Sequence, residues 1–508
     1  MNKLLIVTCL LLNTILFSQI PAGDSLTVKK LKVIFVEGDH YERGLGYGYY
    51  AGEQIKDVAI NYYLANIFYN NGSLYNYYHN IFMNNFSVED KYLTEASGII
   101  NGMKEAGISI YSDVIGRDLD STDILFANAY VDMRIFSKKE HNLKFPMSMG
   151  CSSLTSYGDA TLNDPELLGE TVITRHLDWT PDPVLIRNQI MVVHKVDTFD
   201  DEQNFVLFGF AGMMGGMSIL NESGLCAFHN VGNYESTTSG PPYHPMHLTI
   251  RNGVEAVDYN EDNECNPLDV FYAVSVKNRS DSYIIETTST ASSKTGPIAI
   301  EVNNELGAVY RDISDNDPDI GTNIITTNHH RKLYDPIYCY RYDNLVDSMA
   351  NSTEFTIKRN REVLCAASGH SGTIHTIQFI PSLRKFNISI ATDTTPGHLT
   401  DPIEFNLDEL FASSGINQNI TNSTGLISAY PNPFNPVIIL DIQILIAEEY
   451  SLSVYNTKGC IVKEIFKGDL KKGISKFTFD GSKFMSGIYY VVLNGVNSSD
   501  IKKIVLIK

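Results

Sequence analysis

The first third of the chain has a helical rhythm. Apolar residues recur at three- and four-residue spacing over Val88–Ala106 and Thr122–Phe136, with Ser121, Thr122 and Asp123 available to cap the second run. Upstream, Leu31–Val36 reads as a strand leading through Gly38, Gly44, Gly46 and Gly48 into a helix that continues past Gln54, Ala59 and Tyr62. A dinucleotide-binding loop needs a longer interval before its last glycine, so these glycines read as close packing at the helix start.

From Met147 the period shortens. Ser152–Ser156, Glu170–Arg175, Gln189–Val196, Asn204–Phe210, Gly216–Leu220 and Gly224–Asn230 are short, closely spaced and broken by Gly, Asn and Asp, which predicts antiparallel strand pairs. A helix at Pro267–Lys277 follows, then strands near Ser282–Glu286, Pro297–Val302, Gly307–Arg311 and Gly321–Thr327. A helix at Asp335–Met349 precedes two closing strands, Thr373–Phe379 and Lys385–Ala391. Helices first, many strands next and mixed elements last predict an α+β fold in which sheets pack together with helices outside.

Residues 412–427 are small and polar, the composition of a linker. Beyond them Tyr430-Pro431-Asn432-Pro433 leads into evenly spaced strands at Val437–Ile444, Tyr450–Tyr455, Cys460–Phe466, Ser475–Phe479, Gly487–Leu493 and Lys502–Ile507, which predicts a small all-β sandwich. Charge marks the same boundary. The 508 residues carry a formal net charge of −20, yet 428–508 hold ten Lys against seven Asp plus Glu, so this segment is +3 and the remainder −23. The acidic balance excludes nucleic acid as a partner, because it repels a phosphate backbone.

The tail resembles the C-terminal sorting domain of proteins exported by the type IX secretion system. The resemblance rests on Tyr430-Pro431-Asn432-Pro433, Leu452-x-Val454-Tyr455, Gly487-Ile488-Tyr489-Tyr490 and Lys502-Lys503-Ile504-Val505. It implies passage through the periplasm to the cell surface or medium, with that machinery as a partner. Lys3, the apolar run Leu4–Leu12 and Ser18 fit a secretory leader over 1–18, and no later run is apolar and long enough to predict a transmembrane segment.

Hydrophobic residues at 43% and aromatics at 11% supply enough apolar surface for more than one core. Seven cysteines, at 9, 151, 226, 265, 339, 365 and 460, lack Cys-x-x-Cys spacing, which removes zinc-ribbon and thioredoxin-type motifs. Of these, Cys151 has the most telling context. It stands in Gly150-Cys151-Ser152-Ser153, upstream of Arg175-His176-Leu177-Asp178-Trp179, whose tryptophan is the only one in the chain.

A thiol becomes a nucleophile when a base takes its proton. An amino-terminal cysteine carries such a base in its own α-amine, so a cut between Gly150 and Cys151 would create the catalyst. Glycine before the cut would permit the strained backbone of an internal attack. If Glu170–Arg175 pairs with Ser152–Ser156, the intervening hairpin returns Arg175 and Asp178 beside Cys151. Asp178 could then hold the amine, and Arg175 could lower the thiol pKa or bind a substrate oxygen.

With these residues the chain resembles the N-terminal nucleophile (Ntn) hydrolases of the choloylglycine hydrolase, acid ceramidase and acyl-coenzyme A:6-aminopenicillanic acid acyltransferase group. Further support comes from Leu220-Asn221-Glu222-Ser223-Gly224-Leu225 leading to His229-Asn230, from Thr327-Asn328-His329, and from Arg341. The interval from Cys151 to Arg175 is longer than in compact members, and His176 stands where asparagine is common. The resemblance implies a four-layer αββα sandwich, with 19–150 as a mainly helical pro-segment or α subunit and 151–411 as the catalytic domain. It also implies Cys151 as nucleophile, Asp178 as the partner of its amine and Arg175 as a positioning residue. Asn230 and Asn328 become amide groups near the oxyanion, and Arg341 an orienting residue. The expected reaction is hydrolysis of a linear amide, or acyl transfer, on an N-acyl amide or peptide substrate, without a cofactor.

Two other readings stay open at this point. A papain-like Cys-His-Asn arrangement could use His229 beside Asn230, or His329 and His330 beside Asn328, without self-cleavage, but it would leave Arg175 and Asp178 without a part. A cell-surface binding protein could keep the fold without the chemistry. A metal site from His329, His330, His370 and His375 lacks the helical His-Glu-x-x-His pattern, and His370 and His375 read as surface or packing residues flanking a strand.

Overall fold

Two sheets carry most of the chain in the computed structural model, which describes residues 21–140, 150–196, 201–233, 240–290, 295–412, 425–444, 448–456, 461–471, 473–495 and 499–508. The expected leader at 1–18 and most of the expected linker at 412–427 lie outside these residues. The fold is α+β. A nine-stranded sheet runs in the order Gly23–Val28, Leu31–Gly38, Gln189–Val196, Phe205–Phe210, Ser218–Asn221, Cys226–Val231, Tyr283–Thr288, Ile298–Asn303 and Gly307–Arg311. A six-stranded sheet runs Asn323–Thr326, Gly150–Ser156, Val172–Asp178, Thr373–Ile380, Lys385–Ile390 and Ile403–Asn406.

Alternation along the strands decides what each face buries. Val33, Met191, Phe208 and Phe228 of the first sheet share one apolar cluster with Ile173, Ile377, Phe386 and Phe405 of the second. The opposite face of the nine-stranded sheet, with Ile34, Val36, Val192 and Leu207, packs on Tyr47, Tyr92, Ile99 and Phe126 of the amino-terminal helices. Leu154 and Ile325 of the six-stranded sheet pack on Tyr342, Leu345 and Leu364 from the helices Tyr340–Ser348 and Ile357–Ser368.

The amino-terminal segment belongs to the same core. Leu31–Gly38 pairs in parallel with Gln189–Val196, from Lys32 opposite Ile190 to Gly38 opposite Val196. The helix His40–Asp57 starts at a capping box in which Asp39 accepts from Glu42 N–H and Glu42 accepts from Asp39 N–H. Its glycines let it lie close against Asp90–Glu105. A Cβ on Gly44 would sit 2.1 Å from the Glu95 carbonyl oxygen, and one on Gly48 1.9 Å from that of Ile99. Buried Arg251 of the helix Met246–Glu255 ties that helix to Asp90–Glu105, with Nη2 2.6 Å from Glu95, and its Nε lies 2.6 Å from Glu255 of its own helix.

The helix expected over Thr122–Phe136 is broken into Ser121–Asn128, a 3₁₀ turn at Tyr130–Met133 and Arg134–Glu140. Asn128 turns its side chain out of the helical pattern, donating to the Gly212 carbonyl at 2.9 Å and accepting from Met214 N–H at 2.7 Å. In the tail, a three-stranded and a four-stranded sheet share a separate core that includes Ile438, Leu440, Leu452, Val454, Val491 and Ile504.

Glu286 ties the two large sheets together. From the nine-stranded sheet it accepts the Thr326 hydroxyl at 2.6 Å and bonds Thr155, both of the other sheet. Burial pushes its carboxyl up to about 7, against the lowering effect of those hydroxyls and of Arg311. In the unfolded chain the group ionises near 4.5, so stability falls as pH rises from there to about 7 and is level above. Glu286→Gln is therefore expected to be more stable than wild type at pH 8, by about 3 kcal/mol, and to converge with it near pH 4. Denaturant melts at the two pH values check this; a variant less stable at pH 8 contradicts it.

Candidate active site

The strand Gly150–Ser156 lies between Asn323–Thr326 and Val172–Asp178. Its register sets Gly150 opposite Asp178, Cys151 opposite Leu177 and Ser153 opposite Arg175. Cys151 and Thr155 point toward the nine-stranded sheet, where Arg175 and Glu286 meet them. Ser152 and Ser156 point toward the outer helices, where Arg341 Nη1 donates to Ser152 Oγ at 2.9 Å and Asn360 to Ser156 Oγ at 3.0 Å. Three residues of spacing in a strand send two side chains to opposite faces, so Arg175 reaches the thiol from inside while Asp178 stands outside. The end of one strand is thus enclosed from both sides.

Inside, Arg175 Nη2 donates to Cys151 Sγ at 3.4 Å and to the His229 carbonyl at 2.7 Å, and Nη1 donates to Ser218 Oγ at 2.9 Å and His375 Nε2 at 3.1 Å. A guanidinium only donates, so His375 Nε2 is an acceptor and the ring is neutral. Burial, followed by the Arg175 charge, holds His375 well below the usual imidazole range.

Around the peptide bond, Cys151 N–H donates to Asn328 Oδ1 at 2.9 Å. Arg341 Nη2 donates to that same oxygen at 2.6 Å, and its Nη1 donates to the Cys151 carbonyl. Asn328 Nδ2 donates to the Val231 carbonyl at 2.7 Å, which fixes the amide's orientation. Asp178 Oδ1 accepts from Thr373 Oγ1 at 2.7 Å, while Oδ2 lies 3.2 Å from His370 Nε2 and 3.8 Å from Arg341 Nη1. Gly150 lies in regular strand and outside the left-handed region, so no backbone strain accounts for glycine there. The reason is proximity: a Cβ would sit 3.2 Å from Asp178 Oδ2 and 3.4 Å from Arg341 Nη1.

The six residues given catalytic roles in the sequence, Cys151, Arg175, Asp178, Asn230, Asn328 and Arg341, are all buried. Cys151, Arg175, Asp178, Asn328 and Arg341 surround the Gly150–Cys151 bond. Asn230 stands one step back: its Nδ2 donates to Thr326 Oγ1 and the Thr327 carbonyl, both at 3.2 Å, and its Oδ1 is without a partner. The histidines considered as bases are engaged elsewhere. His229 Nδ1 lies 3.1 Å from His247 Nε2, His329 Nε2 lies 2.7 Å from Asn233 Nδ2, and His330 Nε2 bonds Ser282 Oγ at 2.9 Å. His375, read as a surface or packing residue flanking a strand, is a packed residue within the strand Thr373–Ile380, which is buried on both faces. Ser218, His370 and Thr373 also belong to the site and carry no motif.

Electrostatics oppose a thiolate in the uncut chain. Burial raises the Cys151 pKa and the Asp178 charge adds to it, outweighing the help of Arg175 and Arg341. Burial also pushes Asp178 upward, but the neighbouring His370, His176 and Thr373 prevail, and its carboxyl sits below the usual range. An apolar cavity adjoins the inner side, with Tyr62, Tyr130, Trp179, Phe210, Met213 and Met217 in its wall. Its wall residue His247 lies 3.1 Å from His229, whose carbonyl accepts from Arg175, and Cys151 shares an apolar cluster with Tyr62, Trp179 and Met217 of the wall.

Residues 428–508 match the family described as the secretion system C-terminal sorting domain. The protein is therefore exported, to the medium or the cell surface, and among the described residues no helix is long and apolar enough to cross a membrane. Comparison with curated proteins found no match. Among solved structures, the chain is similar to a Caenorhabditis elegans N-acylethanolamine-hydrolyzing acid amidase (NAAA) ortholog at 15% identity, covering 46% of this chain and 94% of that one, with a TM-score of 0.35.

Arg175 is the cation nearest the thiol, and its removal destabilises the thiolate. In Arg175→Gln the inflection of Cys151 alkylation by iodoacetamide should move to higher pH, with the rate at pH 8 down about tenfold. Peptide mapping of the alkylated protein measures it, and an unchanged or faster rate contradicts the assignment.

Proposed function

We propose that the chain is a secreted Ntn amidohydrolase, with an αββα arrangement of its two large sheets and their helices, that uses Cys151 freed by its own cut. One observation carries the reading: the backbone on both sides of the Cys151 nitrogen is held by side chains suited to a free amine. Asn328 Oδ1 already accepts from that nitrogen, and the Asp178 carboxylate flanks Gly150. The raised thiol pKa of the uncut chain fits, because it calls for a base, while His375 Nε2 is engaged by Arg175 and His229 Nδ1 by His247.

Maturation begins with attack of Cys151 Sγ on the Gly150 carbonyl carbon. The C–N bond breaks, the nitrogen takes the thiol proton, and water hydrolyses the thioester to leave a carboxylate on Gly150 and an amine on Cys151. In turnover the amine accepts the thiol proton and Sγ attacks the substrate amide carbonyl. The amine then returns the proton to the leaving nitrogen, and water releases the acid from the acyl-enzyme. A second amine in place of that water would give acyl transfer. Asn328 and Asp178 orient the amine, Arg175 steadies the thiolate, and Arg341 keeps Asn328 and the Cys151 carbonyl in register. Asn328 Nδ2, with one hydrogen beyond its bond to Val231, is the better placed of the two amides to face the oxyanion.

The apolar cavity supports a substrate with an apolar acyl group. Purified protein should hydrolyse N-acyl amides faster as the acyl chain lengthens, and Cys151→Ala should lose at least about 10³-fold. Met217→Lys, which places a charge in the cavity wall, should raise KM for long acyl chains and leave short ones nearly unchanged. Equal rates across acyl lengths, or activity retained by Cys151→Ala, contradict the proposal.

A further inference from the structure

The turn between the helix Ile357–Ser368 and the strand Thr373–Ile380 closes on Asp178 like a clasp. Thr373 Oγ1 holds Oδ1 at 2.7 Å, His370 Nε2 lies 3.2 Å from Oδ2, and the Gly372 carbonyl accepts Trp179 N–H, from the residue after Asp178, at 2.8 Å. The turn also binds itself: His370 N–H donates to Thr373 Oγ1 at 3.2 Å and Thr373 N–H to the His370 carbonyl at 3.0 Å.

Gly372 N–H donates to His370 Nδ1 at 3.0 Å. A nitrogen that accepts carries no proton, so the neutral ring bears its single hydrogen on Nε2, the nitrogen 3.2 Å from Asp178 Oδ2. Gly372 is needed for this closeness, since a Cβ there would sit 2.9 Å from both His370 Cε1 and the Trp179 carbonyl oxygen. The charged and titratable groups around the ring are Asp178, Arg341 and His398, the last also under the influence of Arg361. The Asp178 hydrogen bond raises the proton affinity of the ring, but a second proton would land on Nδ1 and face Gly372 N–H.

We propose that His370 is a positioning residue of the Cys151 centre, whose Nε2–H, locked by Gly372 N–H on the other ring nitrogen, holds the Asp178 carboxylate against the Gly150–Cys151 junction. This rests on the reading of Cys151 as an amine-assisted nucleophile. Its consequence is an acid limit. Without the donor, a carboxyl this buried takes a proton at higher pH, and a protonated Asp178 no longer holds the Cys151 amine. His370 meets solvent, with 31% of its side chain exposed.

The test uses full-length protein with ring-¹⁵N histidine, and His370→Gln to assign the His370 signal. The expected result near pH 7.5 is a fixed tautomer with hydrogen on Nε2. A proton on Nδ1, or averaging between tautomers, overturns the proposal whether or not the protein hydrolyses any amide. In turnover, His370→Leu should fall about tenfold further below wild type at pH 5 than at pH 8, and His370→Gln, whose amide restores the donor, should follow wild type. Equal loss at both pH values in both variants would mean a merely structural role. Should wild type prove uncut and inactive, the amidase reading fails, while the tautomer measurement still decides whether the clasp exists.

Discussion

The rest of the centre depends on how the Cys151 nitrogen is held. Asn328 Oδ1 accepts from it, and the same oxygen accepts from Arg341, whose other nitrogen reaches the Cys151 carbonyl. One guanidinium and one amide thus fix a single buried peptide unit. An unpartnered amine there would be costly, so the amide oxygen and the nearby Asp178 carboxylate matter before any substrate arrives. The thiol lies on the other face of the strand, under Arg175, where burial keeps it protonated until a base appears.

That placement follows from the sheets. Because side chains alternate while backbone groups lie in the sheet plane, a strand end can offer a thiol to one face and its N–H and carbonyl sideways to Asn328 and Arg341, and the neighbouring strand supplies Arg175 and Asp178 to the two faces. The segment before the proposed cut is built into the same core. It gives Leu31–Gly38 to the nine-stranded sheet and Glu95 to the buried charges around Arg251. A cut at Gly150 would therefore separate the chain covalently while leaving it joined by a ladder of hydrogen bonds and buried ion pairs.

Much of this was legible in local pattern. The hairpin that returns Arg175 to Cys151 could be read from two short alternating runs, and the capped, glycine-bearing helix from its spacing. The helix Met246–Glu255 could not, because it is buried nearly all round and carries His247, Thr249, Arg251 and Glu255 inward, which erases an apolar stripe. Ser218, His370, Thr373 and His375 were illegible for a different reason. Each comes from an element distant in sequence, and its meaning lies in a partner that only the sheet order brings near. From the sequence Gly150 reads as permitting a strained backbone, whereas in this structure its backbone is regular strand and the crowding of Asp178 and Arg341 accounts for glycine there.

The central claim is that Cys151 becomes an amino terminus. Intact mass measurement and amino-terminal sequencing of protein purified under native conditions, with Cys151→Ala alongside, test it most directly. The account predicts two polypeptides that co-purify and part only in denaturant, the second beginning at Cys151, and a variant that stays whole. A wild-type chain that hydrolyses amides while the Gly150–Cys151 bond remains intact would contradict it.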